Sequence, residues 1–247
     1  MKPGDGSRRA LWTAVIILAL IGTAVAVRRM VHVVPVVVRG YRPPSAAQNS
    51  VAAQFTGLDD LFARHPILTL VHIVPGLLFM VLGPIQFSLT IRARHLRWHR
   101  LSGRIFVICS LVIGISELVM SFGMPAIGGL NQAAATTLFA AFFLFALCKA
   151  FWHIRRREVL LHREWMIRAF SVGLAVATIR PIIGIFFAAS RLSHLTPHEF
   201  FGIAFWIGFV LHLIAAETWI HATMPPDRIR LDSSSELGIP RAGAMDA

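Results

Sequence analysis

The sequence predicts an all-α integral membrane bundle of six transmembrane helices with both termini on the cytoplasmic side. Composition is the first reason: of 247 residues, 56% are hydrophobic and only 15% charged, too little charge to cover a soluble domain of this size. The second is that the apolar residues fall into six runs. Each run can cross a hydrocarbon core of ~30 Å at ~1.5 Å per residue. The third is where the charge sits. The net charge of +12 is almost all Arg, with Lys2 and Lys149 as the lysines. Arginine gathered at the ends of apolar runs marks membrane loops, not a groove that follows phosphates. The lipid bilayer is therefore the expected partner, and nucleic acid is excluded. Cys109 and Cys148 both lie inside apolar runs and read as small core residues rather than a disulfide.

The first run, residues 11–27, lies between Arg8-Arg9 and Arg28-Arg29. Ala24-Val25-Ala26 has the look of a signal-peptidase site. The run is longer than a signal h-region and more hydrophobic segments follow, so the expectation is an uncleaved anchor helix. Residues 28–65 read as an external, Pro-containing connection, with an apolar patch at 31–38 and a surface helix near 55–62. Together they close an N-terminal unit at residue 65. A five-helix core over 66–222 follows, with helices at 66–91, 101–122, 129–153, 166–190 and 199–222. Residues 155–170, RRREVLLHREWMIRAF, form the water–membrane boundary that opens the fifth of the six helices. A polar tail, 223–247, predicts disorder.

Orientation follows from the loops. Arg92, Arg94, Arg97, Arg100 and Arg104 crowd the second connection, and Arg155, Arg156, Arg157 and Arg163 the fourth. The third connection, from Ser121 to Asn131, carries no charge, and the fifth carries only Arg191 and Glu199. The arginine-rich loops are thus cytoplasmic. The first connection, with Arg28, Arg29, Arg39, Arg42 and Arg64, goes against this rule, and Asp59 and Asp60 offset part of its charge.

An ionisable residue inside a span costs several kcal/mol unless it faces the bundle, so such residues are the first functional candidates. Glu117 shares a helical stripe with Ser110, Gly114 and Ser121; Arg180 with Gly173, Ala177 and Gly184; His72 with Gly76 and Gly83. Small residues let helices approach, so the stripes should face inward. At ~1.5 Å per residue, Glu117, Arg180 and His72 all lie about 20 Å from the cytoplasmic side. Thr136 and Thr137 fall near the same level. The expectation is one outer-half polar layer, with Glu117 paired to Arg180, His72 beside them, and a small ligand or a proton as its cargo. The alternative is a structural ion pair that only fixes helix packing.

A second set lies toward the cytoplasmic end: His99, Arg104, His162, Arg168, His212 and Glu217, with Glu217 in reach of Arg104 or Arg168. Interfacial arginines that snorkel account for much of it. Haem b is the redox alternative, with His99, His162 and His212 as candidate ligands; it needs two imidazoles facing each other at one depth. His95 and His99 have ligand spacing, but too few further histidines accompany them for a di-iron site. There is no phosphate-binding glycine loop, nucleophile elbow or zinc-spaced cysteine pair. No metal or other cofactor is expected.

The ordered set GPIQF at 83–87, HRLSGR at 99–104, HREWMIRAF at 162–170 and then Thr178-Ile179-Arg180 resembles a family of bacterial multi-pass membrane proteins, domain of unknown function family 2306. The likeness runs from about His65 to Glu217. It implies a multi-pass bundle in the bacterial inner membrane and assigns no reaction or cofactor. Function is then expected to be non-enzymatic: a polar intramembrane pocket, with an accessory role in a membrane complex as a further alternative.

Overall fold

The computed structural model describes residues 4–41, 59–193 and 195–224. The expected tail from 225 onward and the first residues of the expected surface helix near 55–62 lie outside them. Helix α1 spans Asp5–Arg39, and a short helix α2 covers 59–64. Then come α3 (Pro66–Phe87), α4 (Leu89–Arg94), α5 (Leu96–Gly123), α6 (Gly129–Arg155), α7 (Val159–Ser193) and α8 (Pro197–Ala222). Six of these are long and apolar enough to cross a membrane: α1, α3, α5, α6, α7 and α8. The chain is a multi-pass helical bundle.

Two boundaries differ from the sequence expectation. The first helix does not stop at Arg28. It runs to Arg39 because the valines after Met30 keep the segment apolar and helical through Pro35, and it ends at Gly40, whose φ of 78° suits a residue without a side chain. The second span is interrupted at Ser88, whose backbone is extended (φ −66°, ψ 120°) and whose hydroxyl accepts from Ile91 N. A second corner at His95 (φ −132°, ψ 57°) starts α5. The chain therefore breaks twice around α4, and His95 is a corner residue rather than half of a ligand pair on one helix. The α6–α7 turn is equally tight, with Arg157 at φ 62° and Glu158 N bonded to His153 O. Thr196 and Glu199 form a reciprocal capping box that starts α8.

Helix α7 is central, packing on α8, α6 and α1, while α3 packs on α1 and α5. Lipid tails are as apolar as the core, so close packing must replace the hydrophobic effect as the force between helices. Glycines supply it. A Cβ on Gly83 (α3) would overlap the Phe170 ring (α7), and one on Gly173 (α7) would overlap Phe79 (α3). Phe79, Phe106 and Phe170 then form the centre of the core, with Phe79 and Phe106 stacked at 4.8 Å. Gly76 and Gly184, at the other ends of those stripes, meet nothing within 4 Å. Contact between α3 and α7 is therefore close at the α4 end and absent around these glycines toward the α2 end. Pro75 and Pro181 sit inside those two helices at the open level, each removing one backbone hydrogen bond.

Candidate functional site

The open level is where the polar layer lies. His72 on α3 faces α5, with Nδ1 3.0 Å from Ser116 Oγ and Nε2 3.4 Å from Glu117 Oε2. Both side chains are largely shielded, 22% and 31% exposed. Ser116 favours one assignment of hydrogen on the ring. Its Oγ lies 2.7 Å from Val112 O and 3.0 Å from Ile113 O, the back-bond of a helical serine. A hydroxyl bonded to its own helix accepts from His72, an arrangement that assigns the donor to Nδ1. That leaves Nε2 facing a carboxylate oxygen. The contact is favourable only if a further proton lies between them, on the imidazole or on the carboxyl.

Glu117 also lines a cavity of about 70 Å³ between α2, α5 and α6, together with Phe62, Ser121, Gln132 and Thr136. Ser121 Oγ is the one buried side-chain polar atom without a hydrogen-bond partner among the described residues, and its residue lines this cavity. Thr136 is buried beside it, whereas Thr137 is not among the lining residues. At ~30 Å³ per water, the space suits about two waters, far below the ~300 Å³ of an ordinary ligand pocket.

The expected contact between Glu117 and Arg180 does not form. Glu117 touches His72 instead, because α5 packs along α3 and α6, while its ring contact with α7, Phe106 to Phe170, lies toward the α4 end. Among the described residues Arg180 makes no hydrogen bond or ion pair, and its side chain is accessible at the open level. It acts at longer range, attracted by Glu117 and Asp59 and repelled by Arg28. Asp59 holds Arg28 (3.0 Å) and the buried Arg29 (3.1 Å), and the Arg29 guanidinium lies 4.0 Å over the Phe62 ring. These contacts fasten α2 to α1, and α2 in turn closes the cavity. Sequence reading missed Ser116, Gln132, Arg29 and Asp59. The adjacency of Ser116 to Glu117 was a usable signal; the pairing of α2 with α1 had none.

The second set is spread over several contacts. Arg168 forms a two-pronged ion pair with Glu217, at 2.5 and 2.9 Å, and lies 4.7 Å over the Trp165 ring. Arg104 is exposed and takes no part in it. His162 Nδ1 lies 2.9 Å from Ala150 O, and His99 is in electrostatic range of His162. His212 Nε2 is 2.7 Å from Thr178 Oγ1, so this ring nitrogen is already engaged. Among the described residues no three His, Cys, Asp or Glu side chains gather as a metal site. The sequence motifs converge at this end: with its amide turned to satisfy its neighbours, Gln86 of GPIQF donates to His99 and accepts from Ser102 and Gly103 of HRLSGR. Phe87 of GPIQF lies 4.9 Å from Phe170 of HREWMIRAF. The motifs form a helix-packing node.

A family model described as predicted membrane protein (DUF2306) matches residues 69–220, more than half of the chain. No curated protein and no solved structure matches. The matched range holds His72, Ser116, Glu117, Ser121, Thr136 and Arg180, and leaves out α1 and α2.

Proposed function

The chain belongs to the DUF2306 family of predicted membrane proteins, and on that premise we infer that it handles a proton at the His72–Glu117 pair. One observation supports this reading: His72 Nε2 lies 3.4 Å from Glu117 Oε2 while Nδ1 is engaged with Ser116, so that with Nδ1 as the donor the imidazole and the carboxylate are placed to share one exchangeable proton. The 70 Å³ cavity supports it, since it has room for water but not for a metabolite, and Glu117, Ser121 and Thr136 line the way from the pair toward α2. Arg180 adds a fixed positive charge whose field the proton feels. In this reading a proton arrives through that cavity, rests between carboxylate and imidazole, and leaves by the same polar route. The arginines of α4 and of the α6–α7 turn favour a cytoplasmic position for that end, which puts the proton pair in the outer half of a bacterial plasma membrane.

Solid-state nitrogen NMR of histidine-labelled protein in lipid tests this. His72 Nδ1 is expected to stay protonated across the titration, while Nε2 gains and loses its proton, and Glu117→Gln abolishes that exchange. A His72 with bare Nδ1 and a permanent Nε2–H overturns the reading.

A further inference from the structure

The corner where α3, α4 and α5 meet holds a second cavity, at the opposite end from the His72–Glu117 pair. It is a groove of about 530 Å³ lined by Leu82 and Ile85 of α3, Ile91 of α4, and Trp98, Leu101 and Ile105 of α5. Trp98 and Leu101 are 67% and 51% exposed, so the groove is open to the surroundings of the bundle. Its volume lies within the ~300–1,000 Å³ range of sites that take one small ligand. His95 and Ser102 also line it, the latter with its hydroxyl bonded to Trp98 O; the remaining lining is hydrocarbon, which suits a chain of methylenes and gives a soluble polar molecule little to bond.

The rim has the opposite character. Arg92, Arg94, Arg97 and Arg100 are all exposed and alternate in sequence with the lining residues. None of the four forms an ion pair among the described residues, and the chain has no Asp or Glu between Asp60 and Glu117. More positive charge gathers here from other elements: Arg163 of α7 lies in electrostatic range of both Arg92 and Arg8. Glu164 offsets Arg163, but the four rim arginines have no acid paired to them among the described residues. Like charges so gathered call for an anion, and a basic pocket between membrane helices beside apolar surface is how proteins recognise an anionic lipid. Trp98 beside the arginines is an amphipathic ring of the kind that anchors at headgroup level.

We propose that this corner binds one anionic phospholipid, with an acyl chain in the groove and the phosphate among Arg92, Arg94, Arg97 and Arg100. The site is independent of the proton pair and survives its failure.

Native mass spectrometry of the purified full chain, with phosphatidylglycerol, phosphatidylcholine or inorganic phosphate added, tests it. One phosphatidylglycerol is expected to stay bound about tenfold more tightly than phosphatidylcholine, and inorganic phosphate should not displace it. The double variant Arg94→Gln/Arg97→Gln should lose about thirtyfold in affinity, at roughly one kcal/mol per arginine. Both side chains are exposed, so this variant should keep the wild-type fold by circular dichroism. Ile105→Trp, which fills the groove, should weaken both lipids. Equal retention of the two lipids, or a rim variant that binds as wild type, overturns the proposal. So does a disulfide-linked dimer formed through Leu101→Cys in lipid, because a second copy would then cover the groove.

Discussion

At the scale of single residues, the arrangement turns on one hydroxyl. Ser116, back-bonded to its own helix, engages His72 Nδ1 and leaves Nε2 to meet Glu117. His72 and Glu117 should therefore be strongly coupled: in a cycle of His72→Ala and Glu117→Gln, an interaction energy of roughly 0.5–3 kcal/mol is expected in detergent unfolding. Additive effects would show that the contact is not a pair. A parallel cycle of Glu117→Gln with Arg180→Gln should give a smaller interaction energy, since these two side chains attract each other without touching. Gly83 makes a second residue-scale prediction. A methyl there would overlap the Phe170 ring, so Gly83→Ala should destabilise the bundle by about 1–3 kcal/mol despite its higher helix propensity. Thermal unfolding with circular dichroism measures it. Gly76→Ala meets nothing and should be neutral or slightly stabilising.

At the scale of elements, α2 is held to α1 by charge, and its contacts carry a pH dependence. The Tyr41 hydroxyl donates to Asp60, which also accepts from Arg64 at 2.8 Å. The hydrogen bond from Tyr41, with Arg64 beside it, holds the Asp60 carboxyl below the usual carboxylate range, and the same bond raises the Tyr41 hydroxyl above its usual value. The signs are opposite. Stabilisation through Asp60 is present above its unfolded value of ~3.9 and lost as pH falls through the lower folded value. Stabilisation through Tyr41 is present below its unfolded value of ~10 and lost as pH rises through the higher folded one. Tyr41 is the single tyrosine in the chain, so phenolate absorbance reads it directly. The expected midpoint lies above that of free tyrosine and returns toward it in Asp60→Asn. These elements also show the limit of sequence reading. The valine run after Arg29 looked like a patch in a loop because Pro35 and the arginine pair suggested an end. Helical continuity prevailed, since an apolar backbone in lipid has no other way to satisfy its hydrogen bonds.

At the scale of the whole molecule, orientation is the next expectation to test. With the arginines of α4 on the cytoplasmic side, Arg94→Cys should react with a membrane-impermeant maleimide in inverted vesicles and not in intact cells. Labelling of intact cells would reverse the topology. The sequence by itself determined that this chain has six helices long and apolar enough to cross a membrane and that His72 and Glu117 lie at one level. Both follow from period and length, which a one-dimensional string records fully. Which of His72, Glu117 and Arg180 touch was decided by the tertiary structure alone. Depth arithmetic gives height along a helix but not which helices are neighbours. Only the packing of α3 on α5, with Phe79 stacked on Phe106, brings His72 to Glu117 and leaves Arg180 to act on them at longer range.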